Sequence, residues 1–193
     1  KVTNPTLFRI AQLIVNNRYL HGDKRFFVYI FVNDNKVKGL FKREEFDEAC
    51  KKYIFYKIFS NEALVIDKWF ALQAGASDRG GNILPTVRQL LQHPDFSMKN
   101  PNRARSLVFS YCNANPGAFH RSDAAGYVFW SDRVLEMDAT NPQVAARLAR
   151  ALDRWSHLAE PYRSAAKVAI ERVAAKPDLS NDVREVVSRA LSQ

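Results

Sequence analysis

Hydrolysis by a bound metal needs ligands clustered at fixed spacing and one open coordination position. The four histidines, His21, His93, His120 and His157, are scattered. None stands four residues from another, and no H-E-x-x-H occurs. No G-x-S-x-G sets a serine on a nucleophile elbow. Gly75-Ala76-Ser77-Asp78-Arg79-Gly80-Gly81 is rich in glycine, but it lacks the lysine and the preceding strand of a phosphate cradle. It reads as a turn. Cys50 and Cys112 permit at most one disulfide and form no C-x-x-C, so free buried thiols in a reducing compartment are expected. These patterns predict no catalytic residue, no metal site and no cofactor in this chain.

The arginines carry a different chemistry. Arg103 and Arg105 follow Asn100-Pro101-Asn102, in the first turns of a predicted helix. Arg147 lies six residues after Asn141, in a helix opened the same way, and Gln143 stands four residues before it. Residues four apart share a helix face, so Gln143 and Arg147 point together. A guanidinium offers a planar donor fork that matches a carboxylate. From the residues alone, ordinary surface arginines and an anion site both stay open.

The elements that position these groups are helices. Ser60 can cap a helix whose apolar side holds Ala63, Ile66, Trp69 and Phe70. After the glycine turn, Ile83 to Leu91 is helical, and His93-Pro94-Asp95 ends it. Asn100-Pro101 opens a helix through Leu107 and Tyr111, which ends between Asn113 and Gly117. Ser122 or Asp123 opens one through Trp130 and Leu135, and Asn141-Pro142 another through Leu148 to Trp155. Glu160-Pro161 and Ser180 open the last two. Proline at the first helical position has no intrahelical N–H bond to lose. Amphipathic helices joined by short loops must stack to bury their stripes, so an irregular α-α superhelix of ARM or HEAT type is predicted.

Residues 1–59 are written differently. Residues 1–60 hold two alanines and residues 61–193 hold 21. Lysine outnumbers arginine 8 to 4 in the first part, and arginine outnumbers lysine 13 to 4 in the second. The first part reads as helix, hairpin and helix, with strands near Phe26–Val32 and Val37–Phe41. The shift marks either a domain boundary near residue 60 or a join between sequences of different origin, and the unassigned segment before it reads as a small α+β unit. The formal charge of +9 splits into +6 for residues 1–60 and +3 for the rest, with no long run of one sign. Scattered charge reads as solvated surface. No apolar run is long enough to span a bilayer, so no membrane partner is expected.

Two stretches carry a resemblance. Leu64-Val65-Ile66-Asp67-Lys68-Trp69-Phe70 and Asn100-Pro101-Asn102-Arg103-Ala104-Arg105-Ser106-Leu107 are similar to signatures of the C-terminal domain of bacterial aminopeptidase N, within the M1 zinc aminopeptidases. Ala118-Phe119-His120, Gly126-Tyr127 and Asn141-Pro142-Gln143-Val144-Ala145 follow in order. The resemblance covers residues 60–193 and does not extend to residues 1–42. It implies an all-helical cap on a separate catalytic domain that holds the zinc, with one face lining the peptide chamber. It implies that Arg105, Gln143 and Arg147 approach the C-terminal end of a bound peptide. It further implies a cytoplasmic protein whose partners are the catalytic domain and the peptide substrate. The family's zinc ligands are absent, so this chain is expected not to hydrolyse peptides alone. A free-standing helical protein-binding scaffold and a basic nucleic-acid module in residues 1–60 are the alternative readings.

Overall fold

A computed structural model of the protein describes residues 61–78 and 80–193. The expected hairpin and the rest of residues 1–59 lie outside the described residues. The described residues form helices and no strand. The first helix, α1, runs Ala63–Ala74. The chain divides between Trp69 and Phe70, inside α1, and Phe70–Gln193 forms a compact unit of its own.

In that unit α2 spans Ile83–Leu90 and α3 spans Pro101–Ala104. A π-helical turn over Arg105–Phe109 follows directly and leads into α4, Ser110–Ala114. Then come α5 (Pro116–Phe119), α6 (Ala125–Asp138) and α7 (Pro142–Ala149). Two 3₁₀ turns, Arg150–Leu152 and Trp155–His157, precede α8 (Tyr162–Ala174) and α9 (Asn181–Leu191).

Local chemistry sets these boundaries. The Asn100 side chain accepts the amides of Asn102 and Arg103 at 3.0 and 3.3 Å, with Pro101 at the first helical position. Asn141 accepts the amide of Val144 at 3.2 Å, with Pro142 in the same place. Ser180 accepts the amide of Val183 and starts α9. Glu160-Pro161 departs from this pattern. Helix α8 begins at Tyr162, with Pro161 outside it. Here the Glu160 carboxylate supplies the cap, accepting the Ser164 amide at 3.2 Å and its hydroxyl at 2.7 Å.

Helix α6 packs on α7 and α8, and α9 closes the group against the same two helices. Their shared core holds Trp130, Val134, Leu148, Ile170, Val173, Val183 and Val187, all nearly free of solvent contact. Two indoles tie helix ends into this core. Trp130 Nε1 donates to the Leu148 carbonyl at 3.0 Å, and Trp155 Nε1 to the Ala190 carbonyl at 2.8 Å. Each satisfies a carbonyl near a helix C-terminus. The Asp138 carboxylate, buried at the end of α6, accepts both the amide and the hydroxyl of Ser180. Paired helices stacked in this way are the predicted mainly α, ARM-like arrangement.

The earlier helices hold an aromatic cluster. Tyr111 meets Phe119 and Phe129 edge to face at 5.8 and 5.3 Å, and Phe119 meets Tyr127 at 5.4 Å. Gly126 lets α6 approach the end of α5. A Cβ there would lie 2.0 Å from the Phe119 carbonyl oxygen. Asn115 fixes the loop after α1, donating to the Ala74 and Ala76 carbonyls at 2.8 and 2.9 Å.

Candidate functional site

The three predicted residues lie on two separate elements. Arg105 opens the π-turn, and Gln143 and Arg147 sit on α7. All three are exposed. Among the described residues, none of these side chains takes a hydrogen bond or an ion pair.

Arg103 and Arg105 stand two residues apart and meet opposite fates. Successive helical residues turn by about 100°, so such a pair faces opposite sides. Arg103 is buried, its Nε donates to the Asp95 carbonyl at 2.9 Å, and its guanidinium lies 5.7 Å from the centre of the Phe70 ring. Arg103 therefore anchors α3 to the end of α1 and to the 92–96 loop. Arg105 starts the wider turn, where the Ser110 amide reaches back five residues to the Arg105 carbonyl. Leu107 and Val108, inside that turn, are fully buried. The π-turn thus seats two core side chains while Arg105 projects to solvent. Such inserted turns recur at functional sites.

On α7, Val144, Ala145, Leu148 and Ala149 face the core, while Gln143 and Arg147 share the opposite side. Arg147 lies in the last turn, where the helix dipole favours a cation. The expected common face of Gln143 and Arg147 is present. No hydrogen bond or ion pair joins Arg105 to that pair among the described residues.

Other charged groups of the same unit pair with one another. Arg121 grips Asp123, with Nε 3.0 Å from Oδ1 and Nη2 2.7 Å from Oδ2. It also donates to the Gly81 carbonyl at 3.3 Å and lies 3.8 Å from Asp78. This ties the glycine-rich turn to the start of α6. The Arg121 hydrogen bond holds the Asp123 carboxyl at about 2, well below the usual range. Asp123 also accepts the amide of Ala125, next to Ala124 at φ 58°. His120 Nδ1 lies 2.8 Å from the Tyr127 hydroxyl; burial pushes the His120 pKa down and lifts that of Tyr127 to about 12. Burial pushes the Cys112 thiol well up. Cys112 is buried and free; Cys50 lies outside the described residues.

The chemistry available is anion capture by unpaired guanidiniums. Among the described residues no three His, Cys, Asp or Glu side chains converge to hold a metal. The resemblance assigns the zinc to a separate catalytic domain rather than to these residues. No described helix is long and apolar enough to cross a membrane. The residue pattern did not separate Arg103 from Arg105. The deciding partners, Phe70 and Asp95, are distant or non-helical neighbours in the chain.

Comparison with known proteins bears on this geometry. A family model described as a domain of unknown function (DUF3458_C) with ARM repeats matches residues 39–192. Aminopeptidase N of Caulobacter vibrioides and that of Haemophilus influenzae are each 42% identical over 137 residues, which is 71% of this chain and 16% of theirs. Aminopeptidase N of Escherichia coli is 41% identical over 129 residues, 67% of this chain and 15% of that protein. A crystal structure of Legionella pneumophila aminopeptidase A in complex with aspartic acid superposes with a TM-score of 0.70 at 27% identity. That match covers 77% of this chain and 17% of the Legionella chain. The chain thus spans about one sixth of the length of the curated relatives it matches.

Proposed function

The chain belongs to the ARM-repeat domain family designated DUF3458_C, and from that membership together with its likeness to part of aminopeptidase N we propose that it is the non-catalytic cap of an M1 zinc aminopeptidase. In this reading another part of the enzyme supplies the zinc and the peptide-cleaving groups. The cap lines the peptide chamber and holds the C-terminal end of the substrate. Residues 60–193 form the body of the cap, and the family match reaches back to residue 39. The protein works in the cytoplasm with its catalytic domain and the peptide as partners.

The observation that carries the reading is the pair of exposed, unpartnered guanidiniums of Arg105 and Arg147, the latter beside Gln143. Most described arginines near a carboxylate pair with it, such as Arg121, Arg133, Arg163 and Arg172. Guanidiniums left open suit a ligand carboxylate, and a peptide's own terminus supplies one. Gln143 adds a neutral donor on the same helix face.

The test compares two short peptides of one neutral sequence, one ending in a free carboxylate and one in an amide. Binding to the chain is followed by anisotropy of a label on the peptide N-terminus. The free acid is expected to bind tighter, and Arg147→Ala is expected to remove most of that preference. A charge-assisted hydrogen bond contributes about 1.5–3 kcal/mol, equivalent to roughly 10- to 150-fold in affinity. Equal binding of acid and amide would sink the carboxylate role.

A further inference from the structure

The exposed side of α7 does not stop at Arg147. From Gln143 onward the exposed residues that flank the buried stripe are Gln143, Arg147, Arg150 and Arg154, at steps of four, three and four. Between them Val144, Ala145, Leu148, Ala149 and Leu152 are buried. Arg150 closes α7 in helical geometry and starts the 3₁₀ turn, so Arg147 and Arg150 are neighbours on one face. Arg154 follows two residues after that turn, in non-helical backbone at φ −106° and ψ 26°, and is also exposed.

These cations are unmatched. Among the described residues, the side chains of Arg147, Arg150 and Arg154 take no hydrogen bond or ion pair. The single acid in this stretch, Asp153, lies 3.9 Å from Arg189 of α9 instead. Like charges three and four residues apart on a helix repel one another, so an anion bound beside them would relieve that repulsion.

We propose that Arg150 and Arg154 extend the Arg147 site into a cationic stripe that receives acidic side chains within the last few residues of a bound peptide. The proposal rests on the reading of Arg147 as a carboxylate contact. Its length favours a short acidic peptide end over a nucleic acid. Seven residues of helix and 3₁₀ turn span roughly 10–14 Å. An extended peptide advances about 3.3 Å per residue, so the stripe matches a stretch of three or four residues. A polyanion gains affinity from a long surface of one sign, whereas residues 61–193 carry only +3 overall. The stripe thus makes the site selective for sequence as well as for a free terminus.

Four N-terminally labelled hexapeptides test this: neutral or acidic in their last residues, each as free acid and as amide. They are titrated against the chain and against the Arg150→Gln/Arg154→Gln variant, whose fold is checked by circular dichroism. At low salt the acidic free acid is expected to bind about 2- to 30-fold tighter than the neutral free acid, as two exposed pairs would give. The variant and high salt should both abolish that gain. In the variant the preference for acid over amide in the neutral peptides should persist. Equal affinity for acidic and neutral peptides, or a gain retained by the variant, overturns the stripe alone. A short single-stranded oligonucleotide that outcompetes the acidic peptide overturns it in favour of nucleic acid. Loss of the acid-over-amide preference in the unmutated chain instead overturns the Arg147 reading, and no binding by any peptide overturns both.

Discussion

Gly126→Ala tests the packing that seats the site. An ideal Cβ at residue 126 would lie 2.0 Å from the Phe119 oxygen, 3.0 Å from its carbonyl carbon and 3.2 Å from the Tyr111 hydroxyl. The two nearest obstructing atoms are backbone, so no rotamer change relieves them. Helix α6 and the end of α5 must separate by about 1 Å, which forfeits roughly a quarter to a half of each dispersion contact across the seam. The Phe119–Tyr127 and Tyr111–Phe119 ring pairs lie on this seam. Overpacking of this kind costs about 1–3 kcal/mol, and weakened ring pairs add up to about 1 kcal/mol. Replacing a helical glycine by alanine returns about 1 kcal/mol. The net expectation is a loss of about 2 kcal/mol. Urea unfolding followed by tryptophan fluorescence should show a lower midpoint at unchanged slope. Gly117→Ala is the matched control, because a Cβ there meets nothing within 4 Å. If Gly126→Ala unfolds at the same urea concentration as Gly117→Ala, the close approach of α5 and α6 is wrong.

Other expectations follow from single contacts. Trp155→Phe removes the bond to the Ala190 carbonyl and part of a buried ring, and should cost about 2 kcal/mol in urea unfolding, whereas an exposed indole would cost almost nothing. Asp123 has a folded pKa of about 2, below its ordinary value of 3.8, so its contribution is full above about pH 4 and is lost as pH falls toward 2. Asp123→Asn should therefore flatten the loss of stability between those pH values, and an unchanged acid profile would contradict the Arg121–Asp123 contact. The buried Cys112 thiol should react with a thiol reagent only at the rate of unfolding, and fast modification of the native chain would refute its burial.

Much of the described fold was written in local signals. Asn100-Pro101, Asn141-Pro142 and Ser180 each cap the helix they announce, because asparagine and serine side chains satisfy first-turn amides wherever the chain turns into a helix. Features set by distant contacts were not legible. The π-turn at Arg105–Phe109 leaves the apolar spacing of Leu107, Val108 and Tyr111 intact, so periodicity passes over it. Helix α6 starts after Ala124 in the left-handed region, and alanine carries no signal for that conformation. The segment from Asn113 to Gly117, read as a break, contains the start of α5. The helix expected to run to Trp155 ends at Ala149 and continues as 3₁₀ turns, after which the Trp155 indole reaches the Ala190 carbonyl of α9. At the site, the shared face of Gln143 and Arg147 was legible from spacing alone. The burial of Arg103 against Phe70 was not, because it depends on how two helices meet.

The most direct test of the central claim is a double-mutant cycle on Arg105 and Arg147, read as peptide-carboxylate affinity. Two guanidiniums that hold one carboxylate are coupled, so Arg105→Ala and Arg147→Ala should each weaken the free acid, and the pair should show a coupling of about 0.5 kcal/mol or more. Losses that simply add, or an affinity that neither substitution changes, would show that these two arginines do not serve the same peptide end.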